Sequence, residues 1–233
     1  GGKTPMIIFN DADLQSAIFT LEKGITTFSG QFCMTGSRIL VQLGIAESVK
    51  RGLAERLSNV IVGPATDASS QMGSMIDKAN VRRVNNLVEE AIAAGAKIIV
   101  RGGPVSEGAL SKGAFYRPTL LEVTNPELAI VQQEVFGPVA TLQVFETEAE
   151  AVELANNSEY GLAASIWSRD IDRPWRVAKA IHAGTIWINT YAQIFPQFEE
   201  GGYKQSGSGR LNGEAALEDF LEHKHISFNP GLV

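Results

Sequence analysis

The sequence predicts an α/β fold: a mostly parallel sheet covered by helices, with a separate C-terminal helix and a last strand at the end of the chain. Two observations lead there. Short apolar runs such as "RILVQL", "PVATLQVF" and "GTIWIN" alternate with stretches of ten residues or more whose apolar positions recur three or four apart. That order indicates crossover units, because parallel neighbours need a long connection. The strands are also apolar nearly throughout rather than at every second residue, which suits a sheet buried on both faces. Residues 1–210 are assigned to this sheet domain, and residues 211–233 to the C-terminal helix and strand.

Taken in order, the first helix starts after Asp11 or Asp13, either of which can cap it, and carries Leu14, Ala17, Ile18, Leu21, Ile25 and Phe28 on one stripe; Gly30 stops it. "RILVQL" (38–43) is a buried strand. The next helix carries Ile45, Val49, Leu53 and Leu57, and a third carries Ile76, Val81, Val84, Leu87, Val88 and Ile92. "AAGAKIIVRGG" then supplies a glycine stop, a short strand and a turn. The second half gives strands in "YRPTLLEV" and "PVATLQVF", a helix over 148–155, the strand "AASIWS", a helix over 172–182 and the strand "GTIWIN". Last come a helix in "GEAALEDFLEH" and the apolar "HISF", which has no helix to cover it and is suited to pairing with another chain.

Composition narrows the function. The 233 residues are 44% hydrophobic and 20% charged, enough for a real core. A formal charge of −6 with scattered Lys and Arg argues against a nucleic-acid surface. Apolar runs are strand-sized, so no membrane span is expected. A single cysteine excludes an internal disulfide and fits a reducing, cytoplasmic compartment. The histidines, His182, His223 and His225, form no ligand-like spacing with it, and no metal site is expected.

Three stretches could carry chemistry. In "FSGQFCMTGSR" (28–38) Cys33 stands at an expected bend, where backbone N–H groups can lower a thiol pKa or hold an oxyanion; a small buried core thiol is the alternative. In "VQQEVFGPV" (131–139) Glu134 interrupts an apolar sequence just before Phe136 and the Gly137–Pro138 turn, either as an ion-paired strand-end residue or as an acceptor for ligand hydroxyls beside an aromatic platform. "GGYKQSGSGR" is glycine-rich, but its spacing does not match the dinucleotide fingerprint, so it is assigned as a turn.

Together, in this order and over nearly the whole chain, "GGKTP", "GQFCMTGSR", "QEVFGPV", "ANNSEYGLAASIWS", "AGTIWIN" and "GGYKQSGSGR" resemble motifs of the aldehyde dehydrogenase superfamily. The resemblance implies the catalytic domain of that fold plus a strand that joins subunits, hence a homo-oligomer (dimer or tetramer). It implies NAD or NADP as cofactor and an aldehyde as substrate. Cys33 would attack the carbonyl to form a thiohemiacetal, hydride would pass to the nicotinamide, and water would hydrolyse the thioester. Glu134 would bind the ribose and Phe136 would pack near the nicotinamide. The resemblance places the nucleotide-binding domain, the oxyanion-hole asparagine and the general-base glutamate upstream of Gly1, so this piece alone is expected to be inactive. Alternatives are an acylating enzyme, in which coenzyme A resolves the thioester, and a non-catalytic subunit-interaction module.

The chain departs from the family pattern at Thr35, where a smaller residue is usual, at Leu211, and at Glu199–Glu200 before the paired glycines. The resemblance implies that this last region lines the substrate entrance. Two carboxylates there would favour a cationic aldehyde. Phe28, Phe32, Tyr191 and Phe198 are then candidate tunnel aromatics for a quaternary ammonium group, with Glu200 as its charge partner.

Overall fold

The structure is a computed structural model and describes residues 1–231. The strands are β1 (Pro5–Ile8), β2 (Arg38–Gln42), β3 (Lys97–Val100), β4 (Gly103–Pro104), β5 (Tyr116–Arg117), β6 (Thr119–Glu122), β7 (Val139–Phe145), β8 (Tyr160–Gly161), β9 (Ala163–Trp167), β10 (Thr185–Ile188) and β11 (Tyr203–Lys204). The helices are α1 (Leu14–Thr26), α2 (Ala46–Ser58), α3 (Lys78–Ala93), α4 (Ala129–Gln132), α5 (Glu148–Asn156) and α6 (Arg173–Ala180). Seven strands form the main sheet in the order β10-β9-β1-β2-β7-β6-β3, parallel everywhere except at β3–β6. The predicted fold class is therefore the observed one.

The sheet is covered on both faces, and strand alternation sorts its residues. Met6, Ile8, Ile39, Val41 and Leu142 pack with α1 and α2, while Ile7, Leu40 and Ile166 pack on the opposite face with Ala151, Ala155 and Val177 of α5 and α6. A further cluster joins Val81, Val84 and Val88 of α3 to Leu121 and Val139 at one end of the sheet.

Several expectations change. β1, near the centre of the sheet between β9 and β2, has no counterpart among the predicted strands. Its four residues are all buried and too few to show a period. "YRPTLLEV" is two strands, because Pro118 has no N–H to give a ladder; β5 turns aside to pair with β4. Asp13, not Asp11, caps α1 by accepting from the Ser16 N–H. Asp11 instead accepts from Ser168, the Asp170 N–H and Arg173. Ile76 lies before α3 and is 79% exposed rather than on its buried face.

At the C-terminal end the predicted helix contracts to a 3₁₀ segment, Ala215–Phe220, with Leu217, Phe220 and Leu221 exposed. A helix this short is not stable without an apolar face to bury. The predicted strand at 225–228 has no pairing partner among the described residues, and Ile226 and Phe228 are exposed. Of the 211–233 region, residues 232–233 lie outside the described residues.

Candidate active site

α1 stops earlier than its periodicity suggests. Thr26 is its last residue, and Phe28 and Ser29 take left-handed backbone (φ 52° and 57°) before Gly30 at φ 67°. Ser29 holds this reversal by donating its hydroxyl to the Gly73 carbonyl at 3.0 Å. Glycine is required at 30: a Cβ there would fall onto the Gly137 carbonyl and the Pro138 nitrogen. The loop leading to Cys33 is thereby seated directly on the turn that follows Phe136.

Residues 32–35 form a tight turn closed by the Thr35 N–H donating to the Phe32 carbonyl at 2.9 Å, with Cys33 and Met34 at its centre. Thr35 does not crowd this turn; its hydroxyl donates to the Gly30 carbonyl at 3.1 Å and braces it. Cys33 is exposed, so the sole thiol is not a core residue. Among the described residues, neither the Cys33 nor the Met34 N–H donates to a protein acceptor. The Met34 side chain is buried with Trp187 and Ala163, and half-buried Phe32, Leu162 and Tyr191 pack against them.

Gly1–Lys3 join the two motifs. A Cβ on Gly2 would stand 2.7 Å from the Cys33 carbonyl oxygen, and the Gly2 N–H donates to Glu134 Oε1 at 3.1 Å. The Lys3 ammonium donates to the Ile130 carbonyl at 2.9 Å, fixing α4, which leads into Glu134. Lys3 is fully buried; desolvation and the neighbouring Arg38 guanidinium pull its pKa down to about 7, against the opposing pull of the Glu134 carboxylate. Phe136, at φ 52°, presents a ring that is 43% exposed, and the Val135 carbonyl is held by Arg83 at 2.6 Å.

A half-buried carboxylate that can accept from ribose hydroxyls, next to an open aromatic residue at positive φ, is the kind of lining a dinucleotide ribose and nicotinamide can use. In this respect Glu134 and Phe136 fit NAD or NADP.

The predicted residues separate into two groups. Cys33, Phe32, Tyr191, Glu134 and Phe136 are brought together by Met34, Gly2 and the Gly30–Gly137 contact. Phe28 joins them through an edge-to-face contact with Phe32 at 5.9 Å, and its ring is 70% exposed. Phe198 pairs with Phe195 at 6.3 Å on the exposed 192–199 segment. Among the described residues no hydrogen bond or ring contact joins Phe198 or Glu200 to the Cys33 turn.

The two glutamates also part company. Glu199 accepts from the N–H groups of Glu214 and Ala215, which hold its carboxyl below the usual range, so it works as a helix cap. Glu200 pairs its backbone with Leu211, and its buried Oε2 has no hydrogen-bond partner among the described residues.

Sequence reasoning passed over Arg38. Its guanidinium is buried and donates to the carbonyls of Lys3, Leu154, Ala155 and Asn157, tying β2 to the C-terminal end of α5. The available signal was a charged residue opening an otherwise apolar strand.

Comparison with known proteins agrees with this geometry. The profile of the aldehyde dehydrogenase family matches residues 1–226. Betaine aldehyde dehydrogenase of Bacillus subtilis (strain 168) is 40% identical over 229 residues, 98% of this chain and 47% of that protein. The protein of the same name from Sinorhizobium fredii (strain NBRC 101917 / NGR234) is 38% identical over 233 residues, 100% of this chain and 48% of that one. A crystal structure of betaine aldehyde dehydrogenase from Staphylococcus aureus in complex with NAD+ superposes with a TM-score of 0.95 at 43% identity, covering 100% of this chain and 46% of that one. The chain thus spans about half the length of the relatives it matches. With an exposed cysteine on a braced turn, a carboxylate and an aromatic ring joined to it through Gly2 and Gly30, and a family match along nearly its whole length, the chain belongs to the aldehyde dehydrogenase family.

Proposed function

We propose that the protein containing this chain oxidises an aldehyde to a carboxylic acid with NAD or NADP, with Cys33 as nucleophile. The observation that carries this reading is the Cys33 turn: an exposed thiol flanked by two N–H groups that have no protein acceptor among the described residues. The Cys33 thiolate adds to the carbonyl carbon, and the carbonyl electron pair becomes an oxyanion that the Cys33 N–H can hold. Bound nicotinamide dinucleotide supplies a hydride acceptor. Glu134 would accept from ribose hydroxyls, and Phe136 would fix where the nicotinamide stops. Loss of hydride leaves a thioester on Cys33; water then releases the carboxylic acid and returns the thiol.

For the substrate we favour an aldehyde bearing a quaternary ammonium group, as the relatives' names suggest. The exposed Phe28 and half-buried Phe32 offer faces to such a cation, and the carboxylate of Glu200 is the charge partner we propose for it. We further propose a homo-oligomer joined through β10, an edge strand of the sheet, and through the exposed apolar residues at 221–228. No described helix is long and apolar enough to cross a membrane, and the cytoplasm is our proposed compartment.

The test is aldehyde-dependent NADH formation by the full-length protein, wild type against Cys33→Ala, with the product identified. Loss of turnover in the variant, with carboxylate formed without coenzyme A, is the expected result. Product only in the presence of coenzyme A would move the assignment to the acylating branch. Full activity in Cys33→Ala would overturn the reading.

A further inference from the structure

Tyr191 reads from the sequence as one more aromatic wall of the substrate tunnel, but its hydroxyl is engaged elsewhere. It donates to the carbonyl of Met34, the residue after the nucleophile, at 2.8 Å. The ring is held edge-to-face on Trp187 at 5.4 Å, and Trp187 is itself fixed by its indole N–H donating to the Gln193 carbonyl at 2.8 Å. The turn that presents Cys33 is therefore gripped from two sides. Gly2 abuts the Cys33 carbonyl, and Tyr191 binds the Met34 carbonyl.

We propose that Tyr191 is a positioning residue for the nucleophile: by donating to the Met34 carbonyl it holds the Cys33–Met34 turn in the conformation that leaves both N–H groups free for the substrate oxyanion. This rests on Cys33 being the nucleophile. The physical reason is preorganisation. Donors aimed in advance at developing charge cost no reorganisation when the charge appears, whereas a loose turn would have to be ordered in each cycle. Cys33 is the titratable group facing Tyr191, and burial pushes the phenol well above its ordinary pKa. It stays protonated, and thus a donor, over the whole working range.

The experiment uses the full-length enzyme and compares wild type, Cys33→Ala and Tyr191→Phe. It reads kcat and KM for aldehyde and NAD, together with the pH dependence of thiol alkylation by iodoacetamide. Tyr191→Phe should lower kcat on the order of tenfold, leave both KM values close to wild type and move the alkylation midpoint to higher pH. Wild-type kcat and alkylation profile with only a lower melting temperature would make Tyr191 a packing residue, and a rise in aldehyde KM alone would make it a tunnel wall. Either result overturns the proposal while leaving the nucleophile standing. Retained turnover in Cys33→Ala would overturn both. Should Tyr191→Phe fail to fold, tetrafluorotyrosine at 191 keeps the ring and the hydroxyl but is acidic enough to offset the rise that burial imposes on the phenol. Turnover should then fall at alkaline pH where wild type is level, and a level profile would overturn the proposal.

Discussion

Gly30 and Gly137 meet backbone to backbone, so the loop that presents Cys33 rests on the turn that presents Phe136. The two segments share one close backbone contact, with no side chain between them to adjust. Gly30→Ala faces two costs at once: positive φ and a Cβ driven into the Gly137 carbonyl. The expected outcome is a loss of about 2 kcal/mol or more, together with reduced turnover. Denaturant unfolding and steady-state kinetics on the same variant check it.

Lys3 gives the fold a pH dependence. Its pKa is about 7 when folded and 10.5 in the ordinary state, lowered first by burial and then by Arg38. Between these values the unfolded chain holds the extra proton, so this residue's contribution to stability improves as pH rises from 7 toward 10. Below 7 the buried charge costs on the order of a few kcal/mol. Lys3→Met should flatten that slope, and denaturation midpoints at pH 6.5, 8 and 9.5 measure it.

Arg38 is expected to be the least replaceable charge in the sheet. Arg38→Met removes the donor shared by four carbonyls, of which those of Leu154 and Asn157 keep a second donor while those of Lys3 and Ala155 lose the guanidinium in a buried setting. A loss of about 3–5 kcal/mol is expected, and Arg38→Lys should rescue little, because one ammonium cannot span the fork of acceptors. Chemical denaturation of the two variants decides this.

The neighbouring glutamates should behave differently. Glu200→Gln should lower kcat/KM about tenfold for a quaternary-ammonium aldehyde and leave a neutral aldehyde of equal length unaffected, since the amide carries no charge to attract the cation. Glu199→Gln should act on stability instead, and only slightly, because the amide oxygen can still accept from Ala215 and Glu214. Equal loss on both aldehydes in Glu200→Gln would refute the charge-partner role.

The exposed apolar C-terminal segment is expected to be covered in the assembled protein. Ile226→Asp with Phe228→Asp should shift the protein to smaller species in light scattering, with the Cys33 turn unaltered in its reaction with iodoacetamide.

Much of this molecule is written in local patterns. Strands apolar on both faces and helices with a four-residue stripe fix an α/β sheet, and the motifs around Cys33 and Glu134 carry the family resemblance, because such signals depend on neighbours in the chain. What they could not show is long-range. β1 was invisible because four buried residues carry no period, although the sheet is built around it. Tyr191 was placed as a tunnel wall because a tyrosine's hydroxyl partner, here 157 residues away at Met34, leaves no trace in local sequence. Glu199 and Glu200 look alike as letters, and only the fold gave one a pair of backbone donors and the other an unpartnered oxygen. The sequence determined which residues could react, through residue type and spacing. The tertiary structure decided how they are held, because the contacts that hold Gly30 on Gly137, Gly2 on Glu134 and Tyr191 on Met34 exist only once distant segments have packed together.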